Sequence, residues 1–123
     1  MSAPKPSSIY AIRSKTTGRV YIGRSHDPYL RMQQHFQHLK RGDRYCGTDA
    51  FQEDYERYGA DDFEAYILEQ GVEPQRFQER ESYWIDRYKA TDPRYGYNKD
   101  KMEYKKIPFV PGLPPNISES ESM

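Results

Sequence analysis

Between Ser8 and Gly42 the chain is punctuated so closely that one local arrangement survives: strand, turn, strand, helix. Ser8-Ile9-Tyr10-Ala11-Ile12 is a β-prone run, Thr16-Thr17-Gly18-Arg19 is a turn and Val20-Tyr21-Ile22-Gly23 is a second run, which together predict a hairpin. Tyr10 and Tyr21 then lie on neighbouring strands. A helix follows at once, because Asp27 is a good N-cap, Pro28 suits the first helical position and Gly42 stops the pattern. Tyr29, Met32, Phe36 and Leu39 mark its core stripe. Arg31, His35 and His38 recur at i, i+4 and i+7 on a different face, lining up one permanent cation and two titratable imidazoles.

Further along, Thr48 to Tyr58 reads as a shorter helix, with Phe51, Tyr55 and Tyr58 on one face and Gly59 as its stop. Asp62 to Glu69 reads as a third strand, and Pro74 to Ala90 as a long helix. On that helix Glu81 shares the apolar stripe of Phe77, Trp84, Ile85 and Tyr88. A carboxylate turned toward a core needs a cation, a metal or a catalytic task. The plainer alternative is that Glu81 lies at the stripe's edge and pairs with an arginine such as Arg80 or Arg87. The expected fold is α+β, a small three-stranded antiparallel sheet flanked by helices in the order ββααβα. Residues 1–8 read as a flexible N-terminus, 9–98 as the domain, and 99–123 as a charged segment and a Pro/Ser-rich tail.

At 123 residues the chain has room for a single core. With 12 tyrosines and only 35% hydrophobic residues, that core must lean on amphipathic rings. A formal net charge of zero at first disfavours a nucleic-acid partner. Its distribution reverses the inference. Arg13, Lys15, Arg19, Arg24, Arg31, Lys40, Arg41 and Arg44 share their stretch with two acids, Asp27 and Asp43, whereas from Asp49 to Glu73 Arg57 alone stands against nine acids. The expectation is a two-sided molecule, with a basic face that tracks phosphates and an acidic back turned away. The single Cys46 has no disulfide partner in the chain, and Met1 to Ser8 lacks the apolar run of a signal or anchor, so a reduced, cytoplasmic setting is expected, in the host cell if the protein is phage-encoded.

Several of these residues resemble a known pattern. Tyr10 in Ser8-Ile9-Tyr10, then Tyr21-Ile22-Gly23, Arg31 and His35 on the first helix, Glu81 in Glu79-Arg80-Glu81-Ser82-Tyr83-Trp84-Ile85, and Asn98 in Gly96-Tyr97-Asn98 follow in the order of the GIY-YIG nuclease domain family. The chain most resembles that family's homing-endonuclease branch, from about Ile9 to Asn98. Ser8 replaces the first glycine of the name-giving motif. Arg44 stands roughly where some homing enzymes carry a second histidine, and Arg24 where other branches carry a lysine near the scissile phosphate.

The resemblance implies a metal-dependent DNA endonuclease that hydrolyses phosphodiester bonds. Tyr10, Tyr21, Arg31, His35, Glu81 and Asn98 would be its catalytic set, with Ile22 and Gly23 as structural motif. Glu81 would hold one Mg²⁺, for which Mn²⁺ can substitute, leaving the other positions to water and phosphate. Arg31 would grip phosphoryl oxygens, Tyr10 would act as general base with His35 as relay, Tyr21 would fix water or phosphate, and Asn98 would tie the late loop to the site. Arg13, Lys15, Arg19, Arg24, His38, Lys40, Arg41 and Arg44 are the expected DNA contacts. DNA is the expected partner, with a homo-oligomer or a separate specificity protein beside it and no membrane.

Within that class, a phage or mobile-element enzyme of limited intrinsic specificity is expected, with a repair or structure-specific nuclease as the alternative. A catalytically silent DNA-binding module is opposed by Glu81, since a carboxylate beside phosphate weakens binding unless a metal intervenes. An adaptor built on aromatic helix faces leaves the charge asymmetry unexplained.

Overall fold

The computed structural model describes residues 5–44 and 47–99. Cys46, the charged stretch from residue 100 on and the Pro/Ser-rich tail lie outside them. The elements are β1 (Ser7–Ser14), β2 (Val20–Ser25), α1 (Pro28–Arg41), α2 (Asp49–Tyr58), β3 (Phe63–Val72) and α3 (Phe77–Tyr88). The strands form an antiparallel sheet in the order β2-β1-β3, so the fold is α+β with β1 at the centre. β1 begins at Ser7, which pairs with Val72, so the last residues of the stretch read as a flexible N-terminus belong to the sheet.

Alternate side chains of β1 enter two different cores. Ile9 and Ala11 join Val20 and Ile22 of β2 beneath α3, against Val72, Phe77, Trp84, Ile85 and Tyr88. Tyr10 and Ile12 turn to the opposite face, where they meet Met32 and Leu39 of α1, Phe51 of α2, Phe63 and Tyr97. A strand buried on both faces needs apolar residues at successive positions, which is why Ile9-Tyr10-Ala11-Ile12 lacks polar alternation. Phe51 stacks on Tyr97 with centroids 4.6 Å apart, tying α2 to the segment after α3.

The limits of α1 follow from its caps. The Asp27 carboxylate accepts from the Leu30 amide at 3.2 Å, and Gly42 closes the helix in the left-handed region at φ 77°, where a side chain would be strained. The buried seam of α1 differs from the expected stripe. Tyr29, expected inside, is 72% exposed, while His35 is fully buried with Met32 and Leu39. The seam runs through positions 32, 35 and 39, so the first-turn tyrosine falls off it and the imidazole falls on it. The long helix also differs in detail: Pro74–Arg76 is a separate 3₁₀ turn, and Lys89, at φ 53°, ends α3 before Ala90.

The outer edge of β2 is covered by the chain after α3. Val20 donates to the Tyr95 carbonyl at 3.1 Å and accepts from the Tyr97 amide at 2.8 Å, a short parallel pairing that protects the edge.

Folding brings part of the two charge sets together. Arg13 pairs with Glu64 directly across β1 and β3, Arg19 with Asp54 and Arg44 with Asp49, each at 2.9 Å. Cations assigned to a basic face are thus neutralised by acids assigned to its back, because β3 and α2 dock beside the hairpin.

Candidate active site

The site is built outward from β2. Strand alternation sends Tyr21 and Gly23 toward α1 and α2, and Ile22 and Arg24 toward α3.

On the α1 side, Tyr10 lies opposite Gly23 in the β1–β2 register. A Cβ at Gly23 would run into Cζ and the hydroxyl of Tyr10, so the glycine is what lets the phenol cross over β2. The Tyr10 hydroxyl reaches Nε2 of His35 at 2.6 Å. Burial, followed by the charges of Arg31 and His38, lowers the His35 pKa to about 4, so the ring is neutral near pH 7. Tyr21 meets His35 edge-on, with centroids 5.1 Å apart, and stacks on Phe51 at 5.5 Å. Tyr10 is 1% exposed, whereas Tyr21 is only half-buried. Tyr10 is therefore shut away from solvent as a whole residue, whereas Tyr21 keeps part of its surface exposed. Arg31 donates from Nη1 to Gln34 Oε1 at 3.3 Å.

On the α3 side, Glu81 Oε1 lies 3.5 Å from Arg24 Nε, and the Arg24 guanidinium sits 4.1 Å from the centroid of the Phe77 ring. Burial raises the Glu81 pKa, and Arg24 offsets only part of the rise. The cation beside Glu81 is thus a β2 arginine rather than a helical neighbour, and Arg80 is held by Glu69, which also accepts from Trp84 Nε1 at 2.8 Å. Among the described residues no three His, Cys, Asp or Glu gather into a cage for a metal ion.

Asn98 joins the two sides. Its Oδ1 accepts from the Ile22 amide at 2.8 Å and its Nδ2 donates to the Ile22 carbonyl at 2.9 Å, so its side chain imitates a strand partner at the residue between Tyr21 and Gly23.

His38 and Arg41 both contact Asp43, at 2.7 and 3.0 Å, while Lys15 and Lys40 are exposed. Arg44 is exposed beside Asp49. Two contributors escaped the sequence reading. Gln34, one helical turn after Arg31, carried a readable signal in its i, i+3 spacing. Phe77 looked like plain core, and nothing local marks it as the seat of Arg24.

The family model that matches this chain is the GIY-YIG catalytic domain, over residues 6–98. The chain belongs to the GIY-YIG family. This GIY-YIG domain is similar to two solved structures. A mutant of the catalytic domain of the intron endonuclease I-TevI is 30% identical, with a TM-score of 0.66 over 76% of this chain and 92% of that one. The catalytic domain of the homing endonuclease I-TevI is 29% identical, with a TM-score of 0.67 over 76% of this chain and 98% of that one. No curated protein sequence matches the chain. In this GIY-YIG domain Ser8, at the first glycine position of the motif, pairs with Ser25 of β2 and falls at a register shift against β3. Among the described residues no helix is long and apolar enough to cross a membrane.

Proposed function

We propose that this GIY-YIG domain is a DNA endonuclease that hydrolyses phosphodiester bonds with one divalent ion, Mg²⁺ or in its place Mn²⁺. The observation that carries the reading is the bond between Tyr10 and His35. A buried neutral imidazole holding one phenol at 2.6 Å, with a second, half-buried tyrosine ring against its edge, is suited to positioning and moving a proton. The kinship with intron and homing endonuclease catalytic domains supports the same class and a mobile-element type.

Tyr21 faces the attacking water and, as its phenolate, takes the proton while the water oxygen bonds to phosphorus and the bond to the 3′ oxygen breaks. This reading gives the base role to Tyr21 rather than to Tyr10, whose burial suits it to holding His35 and, through Gly23, the course of β2. Arg31 presents a planar, permanent charge to the phosphoryl oxygens. Asn98 keeps Tyr21 and Gly23 in place by fixing Ile22. Lys15 and Lys40, both exposed, contact flanking phosphates.

Glu81 fits a magnesium site of the kind that takes one carboxylate from the protein and leaves its other positions to water and substrate. When bound there the ion supplies charge neutralisation at the phosphate and at the departing oxygen.

The test is cleavage of duplex, nicked and branched DNA in Mg²⁺ by the wild type and by Glu81→Gln. The wild type should cut at least one of these substrates, and the variant should bind DNA with unchanged or slightly higher affinity without cutting it. Cleavage by Glu81→Gln near the wild-type rate would remove the metal role from Glu81.

A further inference from the structure

Arg24 and Glu81 come from opposite ends of the domain and meet under α3. Their contact is longer than the arginine pairs elsewhere among the described residues, at 3.5 Å against 2.9 Å for Arg13–Glu64 and Arg19–Asp54. A charge-assisted hydrogen bond would close to about 2.7–2.9 Å. The guanidinium has a second support, the Phe77 ring, which holds it independently of the carboxylate. The Glu81 side chain keeps 30% of its surface in solvent, against 17% for Arg24, so a hydrated cation can approach the acid from outside while the arginine stays seated.

A half-buried carboxylate is costly to leave uncompensated, and a site that binds its ion only transiently leaves it so between turnovers. We propose that Arg24 is the resident counter-ion of Glu81, displaced when a divalent cation arrives, so that metal and guanidinium compete for one carboxylate. The proposal rests on the reading of Glu81 as the metal ligand. Its consequence is an ordered charge: the Phe77 ring keeps the displaced guanidinium in the site, where its positive charge becomes available to the substrate phosphate only once the ion is in place.

Two measurements on the full chain test this without reference to cleavage. Mn²⁺ binding, followed by loss of the free-ion EPR signal, is compared for the wild type, Arg24→Gln, Arg24→Lys and Glu81→Gln. Arg24→Gln should bind Mn²⁺ roughly three- to tenfold more tightly than the wild type, because the competing charge is gone. Arg24→Lys should stay near the wild type, and Glu81→Gln should lose the site. Independently, the Nε–H resonance of Arg24 in the wild type should shift during a Mg²⁺ titration and stay fixed in the same titration of Glu81→Gln, a readout that survives if Arg24→Gln fails to fold.

Equal Mn²⁺ affinity in the wild type and Arg24→Gln, with binding lost in Glu81→Gln, would overturn the competition and leave Glu81 as the ligand. Unchanged binding in Glu81→Gln would instead show that the ion sits elsewhere, and both readings would fall. An Arg24 resonance unmoved by saturating Mg²⁺ would also overturn the exchange.

Discussion

The Tyr10 hydroxyl stands 2.6 Å from Nε2 of His35, with both side chains shut away from solvent. This one bond ties the central strand to α1 across 25 residues of sequence and orders the face against which Tyr21 packs. Replacing Tyr10 by Phe keeps the ring but leaves an imidazole nitrogen buried without that partner. Tyr10→Phe should therefore cost about 1–3 kcal/mol in urea unfolding and slow cleavage. An unchanged unfolding midpoint would show that the bond contributes nothing net.

The same histidine sets a dependence on pH. Its pKa is lowered in the folded protein from 6.5 to about 4, so between those values the unfolded chain binds the proton more readily. Stability from this group is complete above 6.5 and drains as pH falls toward 4, by about 3 kcal/mol at most. Denaturant unfolding at pH 7.5, 5.5 and 4.5 should show the decline. It should flatten over the same window in His35→Gln, and equal slopes in the two proteins would exclude His35 as its source.

Gly23→Ala should destabilise the domain by about 1–3 kcal/mol and depress cleavage, since the new methyl group occupies the place of the Tyr10 phenol. Combining it with Tyr10→Ala removes the obstacle. The two changes should be strongly non-additive in a double-mutant cycle, and simple additivity would mean that Gly23 is needed for some other reason.

Arg31→Lys keeps the charge and replaces a planar fork by a point donor. Cleavage should fall by at least tenfold while DNA affinity, measured by fluorescence anisotropy, changes little. Retention of most activity would reduce Arg31 to a binding contact.

Arg19 and Lys40 should behave oppositely, although both were expected on a DNA face. Arg19 donates to Asp54 at 2.9 Å and to the Pro93 carbonyl at 2.9 Å, so Arg19→Met should cost about 2 kcal/mol of stability with little change in DNA affinity. Lys40 is exposed, and Lys40→Gln should leave stability unchanged while lowering the slope of log affinity against log salt by about 1. A steep loss of DNA affinity in Arg19→Met would return Arg19 to the phosphate surface.

The parts of this protein that its sequence determines by itself are those governed within a few residues. The hairpin around Thr16–Arg19 and the span of α1 between Asp27 and Gly42 follow from turn chemistry and capping, which act locally. The order of motifs from Tyr10 to Asn98 likewise carries the family without reference to shape.

Tertiary structure decided the rest, because each remaining contact joins residues that no local rule relates. It rotated the seam of α1 so that His35 entered the core and Tyr29 left it. It gave Glu81 an arginine from β2 rather than one from its own helix, and joined Asn98 to Ile22 across 76 residues. It also joined members of the two charge sets legible along the chain, since strand pairing set Glu64 opposite Arg13 and docking of α2 brought Asp54 to Arg19. Sequence places charges along a line. Which of them meet depends on how the sheet brings distant segments together.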